Sequence, residues 1–389
     1  MLKGLITLTF GSFSFGITEF VVMGLLPYFS MDFEVSTATA GHTISAYALG
    51  VAFGAIFLLF MRGFALKHIL IGVVAFHLIT NTLSFLSPSF PFLLLSRFLA
   101  GMPHGCFFGV SAIVAQRLAK KGKENIAMSI MTLGQTLSNV VGVPAGTMLA
   151  HLFSWHAIFF LLILWSIFVL ICIIAILPDT GKIKNEGFKS QFRFMKSPAP
   201  WLVLATIFLS SSGMFASLTY ISPILTKLGG LALVHVSSIL ILSGSVMVFA
   251  NIASGNLSDR FSPGFVAIAL LLLSVFSMIS LSVLGHITLI CIICVCVIAG
   301  TSFGVTTPEQ VLIVHTSKGG EFLGVAAAQM AFNLGNAIGA YIGGIPFTLK
   351  LPVSTLPLFG VGFVILAAIC IFCFKCKYEG ALNLKNQAF

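Results

Sequence analysis

Charge is what this sequence of 389 residues has least of. Only 8% of it is Asp, Glu, Lys or Arg, against roughly 25% in a soluble domain. The longest strongly charged connector runs only from Pro178 to Pro200, which leaves no room for a soluble domain of ordinary size. No G-x-x-x-x-G-K-[ST] phosphate loop occurs, which argues against ATP as the energy source for this chain alone. H-E-x-x-H, paired catalytic carboxylates and a serine elbow are missing too, so the expectation is that the chain is not an enzyme. Cysteine is present but poorly companioned. Cys291, Cys294 and Cys296, and again Cys370, Cys373 and Cys376, have spacings that metal sites use, yet no His or carboxylate stands at zinc-finger distance from them. Buried thiols behave as small hydrophobes, and neither a metal nor another cofactor is expected.

What fills the sequence is hydrocarbon. Hydrophobic residues make up 58% of it and its mean hydropathy is +1.11, so the solvent for most of the chain is a lipid bilayer. Lys3 is followed at once by a long apolar segment with no small-residue cleavage site, which reads as a first span and not as a removable signal. A bilayer core about 30 Å thick takes about 20 helical residues. Val35–Met61, Ser197–Thr226, Leu228–Ser258, Phe322–Leu349 and Leu351–Phe374 are free of charge and fit one helix each. Two runs are too long for one: Asn125–Pro178 must fold back near "AHLFSWH" and Phe261–Pro308 near "LGHIT". "SPSFP" separates a third span from a fourth that continues through Arg97. With a first span from about Leu5 to Pro27, the expectation is an all-α polytopic membrane protein of twelve transmembrane helices.

Basic residues favour the cytoplasmic side of short loops. With the N-terminus inside, all of the 20 Lys and Arg except Lys227, Lys350 and the intramembrane Arg97 fall in cytoplasmic loops or tails. Both termini are therefore expected in the cytoplasm, in the cell (inner) membrane. The net charge of +10 is then mostly a topology signal with some attraction for anionic lipid, and nucleic acid is not expected as a partner.

The sequence also repeats itself about 195 residues on. "GCFFGV" (Gly105–Val110) returns as "GTSFGV" (Gly300–Val305), Gln135 and Asn139 are answered by Gln329 and Asn333, and Pro27 by Pro223. A shift of six spans keeps both copies in the same orientation, the parallel repeat of a two-bundle transporter. The expected organisation is a six-helix bundle over 1–177, a cytoplasmic connector over 178–200, a second six-helix bundle over 201–376 and a tail over 377–389.

Against that apolar background a few residues stand out. Glu19 lies near the middle of the first span, where an ionised carboxylate costs about 3 kcal/mol on insertion scales; such a group faces a cavity or a partner, and it can trade a proton as its surroundings change. Arg97 is the other intramembrane charge of the first half. Arg97, Gly101, His104 and Phe108 share one helical face, and an imidazole titrates near neutrality. Glu19, Arg97 and His104 are thus the candidates for proton coupling. Against them stand a static Glu19–Arg97 ion pair that only fixes packing, and a merely packed, hydrogen-bonded His104. Glu309, after Pro308, is expected near the cytoplasmic end of span ten, within reach of headgroup water. Small residues recur at every fourth position of span five, at Gly134, Ser138, Gly142 and Gly146, with Pro144 among them, and let two backbones approach closely. Scattered hydroxyls and aromatic rings suit a cavity for a sugar or an amphipathic drug, with Phe15, Tyr47, Ser212, Tyr220 and Thr307 as the candidate lining; most hydroxyls of this kind satisfy neighbouring backbone instead.

Taken in order along the chain, "ITEFVVMGLLP", "AGHTISAYALG", "LKHIL", "SRFLAGMPHGCFFGV", "GVPAGT", "SPAPWL", "KGGEFLG" and "QMAFNLGNAIGAYIGG" resemble the major facilitator superfamily, in its twelve-span drug and sugar efflux branch, and most closely the arabinose efflux permease group. The resemblance covers nearly the whole chain. It implies two six-helix bundles, a central cavity lined by spans one, four, seven and ten, and proton-driven export of a small solute by rocking of the bundles. Arg97 matches the arginine of the fourth-span pattern and Glu19 the first-span acid of this branch. Gly142, Pro144 and Gly146 resemble the antiporter signature of span five, with Val143 separating the expected Gly-Pro pair. "GNLSDR" supplies Gly255, Asp259 and Arg260 of a loop signature implied to gate the transporter, whereas the first-half copy, "FMRGFALKH", keeps Lys67 and His68 and has no aspartate. The expected function is a secondary active transporter that exports a small neutral or amphipathic solute in exchange for protons, acting as a monomer. The rivals are a proton-independent facilitator or importer, and a transport-dead membrane sensor or scaffold.

Overall fold

The computed structural model describes residues 2–57, 61, 63–120, 124–182, 193–318 and 320–380. The basic stretch 183–192 of the expected connector, Arg62 of the first-half loop motif, Gly319 and the tail beyond 380 lie outside the described residues. Apart from one isolated bridge between Ala65 and Lys182, everything regular in the described residues is helical. In hydrocarbon only a helix satisfies its own backbone within a single segment.

The first six helices are α1 (Leu2–Asp32), α2 (Thr37–Phe57), α3 (Leu66–Phe85), α4 (Phe90–Leu118), α5 (Ile126–Leu152) and α6 (His156–Ile176). The second six are α7 (Pro198–Leu218), α8 (Val236–Arg260), α9 (Pro263–Leu284), α10 (Thr288–Thr316), α11 (Glu321–Thr348) and α12 (Leu356–Phe374). Ten of these, all but α2 and α11, are long and apolar enough to cross a membrane by length and composition. Proline occupies the first turn of α4, α7, α9 and α12, where its missing N–H has no intrahelical partner to lose. Ser197 and Ser262 cap α7 and α9 by accepting from the backbone N–H groups of Ala199 and Phe265. The chain reverses at "SPSFP", as that motif suggests, and at Phe153–Trp155 and between Leu284 and Thr288, as the lengths of the two long charge-free runs require. One boundary differs from expectation: α1 does not stop at Pro27 but runs on to Asp32 with the proline inside it. Proline there removes one backbone donor, and the rest of that turn is still bonded.

The helices form two compact units. The first is built from α1, α3 to α6 and most of α2; the second is built from α7, α9 to α12, most of α8 and the segment Ser36–Gly41. Within the first, α1 packs along α5 and α6 and is buried over most of its length, and α3 lies between α4 and α6. Within the second, α7 packs along α11 and α12, and α9 beside α10 and α12. The outward faces are greasy. Phe160, Leu164, Ile167, Ile171 and Ile174 form an exposed stripe at helical spacing on α6, and Leu272, Phe276, Ile279 and Val283 form another on α9. Exposed stripes of this kind belong in hydrocarbon and not in water.

The end of the first unit is strapped shut by the segment after α6. The Arg117 guanidinium donates to the carbonyls of Thr180, at 2.5 Å, and Lys182, at 2.9 Å, while Leu66 N–H donates to Gly181 O at 3.0 Å. Gly181 takes a left-handed φ of +80° to make that turn. The start of the expected connector is therefore fastened onto the ends of α3 and α4.

Candidate functional site

The charged group of the first unit assembles where α1, α2, α4 and α5 meet. Glu19 is buried on α1; its Oε2 lies 3.8 Å from His104 Nε2 and accepts from the Gln135 side-chain amide at 3.4 Å. Arg97, fully buried on α4, turns elsewhere: Nη2 donates to the Thr18 carbonyl at 2.6 Å, and its Cζ lies 4.4 Å from the centre of the Tyr47 ring. No Arg97 nitrogen comes within ion-pair distance of Glu19, which departs from the rival reading of a static pair, and His104 is the basic group nearest to the carboxylate. The other His104 nitrogen, Nδ1, is 2.9 Å from the Tyr47 hydroxyl. Burying a cation over an aromatic face and a carbonyl, with the carboxylate one residue along the same helix, keeps both charges close without fixing them to each other. Arg97 Nε and Nη1 and His104 Nε2 have no hydrogen-bond partner among the described residues.

The face predicted on α4 is present. Gly101 lies against the α2 backbone at the Tyr47 carbonyl, and His104 stacks on Phe108 with ring centres 4.8 Å apart. Phe15 is fully buried and joins this face to a residue that sequence reasoning did not single out. Its ring lies 4.0 Å from that of His77 and 5.6 Å from that of His104. His77 Nε2 is 3.1 Å from Ser14 Oγ and 3.1 Å from Asn81 Nδ2. A histidine in "VAFHLITN", with Asn four residues later on the same helical face, was the available signal.

Helix α5 carries the other expected feature. A side chain grown at Gly142 would collide with Ile17, and one at Gly146 would stand 2.6 Å from Val21 and 3.0 Å from Ile158. Ser138 fills the space in front of Gly16, and Gly134 faces Thr9 and Ser12, whose hydroxyls donate across to the Ile130 and Met131 carbonyls. All four small residues therefore face α1. In a regular helix a repeat of four drifts about 40° per step, so the stripe would have turned roughly 120° away by its end. Ser138–Gly142 is instead wound as a π-helix, and the extra residue it absorbs takes back about 100° of that drift. Pro144 follows directly, in the first turn of the resumed α-helix.

In the second unit the carboxylate expected at headgroup level is buried. Glu309 lies inside α10, which continues to Thr316, and its Oε1 accepts from the Ser210 hydroxyl of α7 at 2.9 Å. The extra two turns lift it roughly 10 Å from the helix end, too far to reach headgroup water. Of the candidate cavity residues, Phe15 and Tyr47 flank His104 in the first unit, and Ser212, Tyr220 and Thr307 belong to the second. Three of their hydroxyls are engaged inside the protein: Tyr47 with His104, Ser212 with the Phe208 carbonyl at 2.7 Å and Tyr220 with the Ala340 carbonyl at 2.9 Å. Ser212 thus bonds back onto its own helix, and Tyr220, two residues past the end of α7, bonds to α11. Thr307 is half-buried, and Asp259 and Arg260 are exposed at the end of α8.

Comparison with known proteins agrees with this architecture. The family model described as Major Facilitator Superfamily matches residues 8–340. AraJ of Escherichia coli (strain K12) is 38% identical over 352 residues, covering 90% of this chain and 89% of that protein. The inner membrane transport protein YdhP of the same strain is 33% identical over 384 residues, covering 98% of each. Among solved structures, a bacterial homologue of the human lysosomal transporter Spinster superposes with a TM-score of 0.79 at 17% identity, covering 96% of both chains. The nucleoside transporter NupG gives 0.76 at 13% identity, covering 96% of this chain and all of that one. The chain belongs to the Major Facilitator Superfamily and is a multi-pass membrane transporter of small solutes.

Proposed function

We propose that this transporter exports a small neutral or amphipathic solute, a sugar or a drug, in exchange for protons. Glu19 accepts the proton, and Arg97 and His104 set how readily it does so. The observation that carries this reading is the placement of Glu19: a buried carboxylate in the middle of a membrane helix, 3.8 Å from an imidazole and not locked to a guanidinium. A carboxylate so placed costs free energy when ionised and unpaired, and its neighbours change as helices shift. It therefore couples its proton to conformation. One proton descending roughly 140 mV releases about 3 kcal/mol, enough to hold about a two-hundredfold gradient of one neutral solute.

The six-helix bundles 1–177 and 201–376 are the moving parts, with both termini in the cytoplasm and one chain as the working unit. Asp259 and Arg260, and the α5 seam with Gly142, Pro144 and Gly146, govern passage between end states. Thermal-shift screening of sugars, sugar alcohols and cationic drugs on purified protein identifies the solute, since binding adds stability. Transport of that solute into proteoliposomes is then measured under an imposed pH gradient. Wild type accumulates it and Glu19→Gln does not. Equal transport by both, indifferent to the gradient, would establish a facilitator and reject proton exchange.

A further inference from the structure

Away from the charged group, the first unit encloses a second feature. Where α2 and α3 come together and meet α4 lies a cavity of about 450 Å³, lined chiefly by Phe57, Met61, Phe64, Gly72, Phe76 and Met102. A space of this size lined by hydrocarbon offers water too few partners to hold it, and left unfilled it forfeits the dispersion contacts of its walls. Phe57 and Phe64 are exposed at its edge, so it opens onto the apolar outer surface of the helices. Gly72 contributes bare backbone, since a Cβ built there meets nothing within 4 Å. One lining residue is polar and exposed: His68, in the first turn of α3 and next to Lys67. Basic groups at the end of a membrane helix attract anionic lipid.

We propose that this cavity is a lipid site that takes one acyl chain of an anionic phospholipid, with the His68 imidazole N–H donating to the phosphate. The chain packs against Met102 and Cys106, which lie about 160° around α4 from His104. It supports from behind the helix that carries His104 and Arg97. The proposal stands apart from the transport reading: it concerns lipid and not solute, and either can fail alone.

The test uses the full-length protein in nanodiscs of phosphatidylethanolamine and phosphatidylglycerol, doped with a phosphatidylglycerol whose acyl chain carries a photoactivatable diazirine. Adducts are mapped by mass spectrometry. Wild type is expected to label on peptides carrying Phe76 and Met102. Gly72→Phe fills the cavity and lowers that labelling about tenfold, which is what losing roughly two buried methylenes amounts to; adducts on the outward face of α6 stay unchanged. Because nothing crowds position 72, the variant keeps the melting temperature of wild type, and Gly72→Leu serves if the larger ring prevents insertion. A phosphatidylcholine probe with the same chain is expected to label less, and His68→Leu to bring phosphatidylglycerol down to that level. Undiminished labelling in both Gly72 variants overturns the site. Equal labelling of wild type by the two head groups overturns the assignment of an anionic lipid.

Discussion

The two units each bury a carboxylate within a long membrane helix, and they do it differently. In the first, Glu19 sits on α1 beside His104 and Gln135, with Arg97 and Tyr47 completing the group. In the second, Glu309 sits on α10 with the Ser210 hydroxyl as its hydrogen-bond partner, and Pro198–Leu218 and Pro263–Leu284, which pack against it, contain no Asp, Glu, Lys, Arg or His. Counting back from Pro223 as Glu19 is counted back from Pro27, the second unit has Phe215. The packing recurs, with α1 against α5 as α7 is against α11, while the charge is placed differently. A chain can therefore hold its fold symmetric and its chemistry lopsided, because packing is set by size and spacing, and titratable groups can be placed on either copy.

The sharpest way to break this contrast is to neutralise each carboxylate in turn. Glu19→Gln is expected to collapse gradient-driven accumulation from about two hundredfold to unity, and Glu309→Gln to leave most of it. Proteoliposome uptake under an imposed pH gradient reads both, and loss of coupling in the second variant would erase the asymmetry. Next in size, Arg97→Met leaves Thr18 O and the Tyr47 face without their cation and Glu19 with no guanidinium nearby. A loss of about 3–5 kcal/mol is expected, measured by denaturant unfolding in detergent, with Arg97→Lys intermediate.

The seams of the two units give a third comparison. Gly146→Val drives into Val21 and Ile158, and Gly339→Val into the Ser212 carbonyl. Each is expected to cost about 1–3 kcal/mol, with the larger fall in melting temperature at Gly339, where the new side chain meets backbone and not side-chain methyls; the reverse order would mean that the α1–α5 seam is the more rigid of the two. Of comparable size, Ser210→Ala removes the hydroxyl donor of Glu309 and is expected to cost about 1–3 kcal/mol. Tyr47→Phe, which spares the ring under Arg97 and removes the bond to His104, should fall in the lower part of that range by the same unfolding assay.

Much of this was legible in the residues. Charge-free run lengths give the reversals at Phe153–Trp155 and Leu284–Thr288, because bilayer thickness leaves little latitude, and the prolines of "SPSFP" give the one before α4. The lone Glu19, Arg97 and His104 converge, since an intramembrane charge must find company. What periodicity cannot provide is the identity of the neighbour across a helix contact. The Tyr47–His104 bond, the approach of Gln135 to Glu19 and the Ser14–His77–Asn81 group all depend on rotation between helices, which sequence spacing leaves free. Glu309 was misjudged for another reason. Pro308 closes the charge-free run and so suggests a helix end, but a proline in the first turn of the resumed segment after Val305 lets α10 continue to Thr316.

The wide turn at Ser138–Gly142 makes α5 two rods joined at a swivel. Rewinding that turn to ordinary helical pitch would rotate one rod against the other by about 100°. Seated contacts on both sides of the joint hold the turn as it is: Gly134 and Ser138 on Thr9, Ser12 and Gly16, and Gly142 and Gly146 on Ile17 and Val21. A single residue of slack in the backbone thus keeps both halves of α5 zipped to α1, and with them the Gln135 amide against the acid.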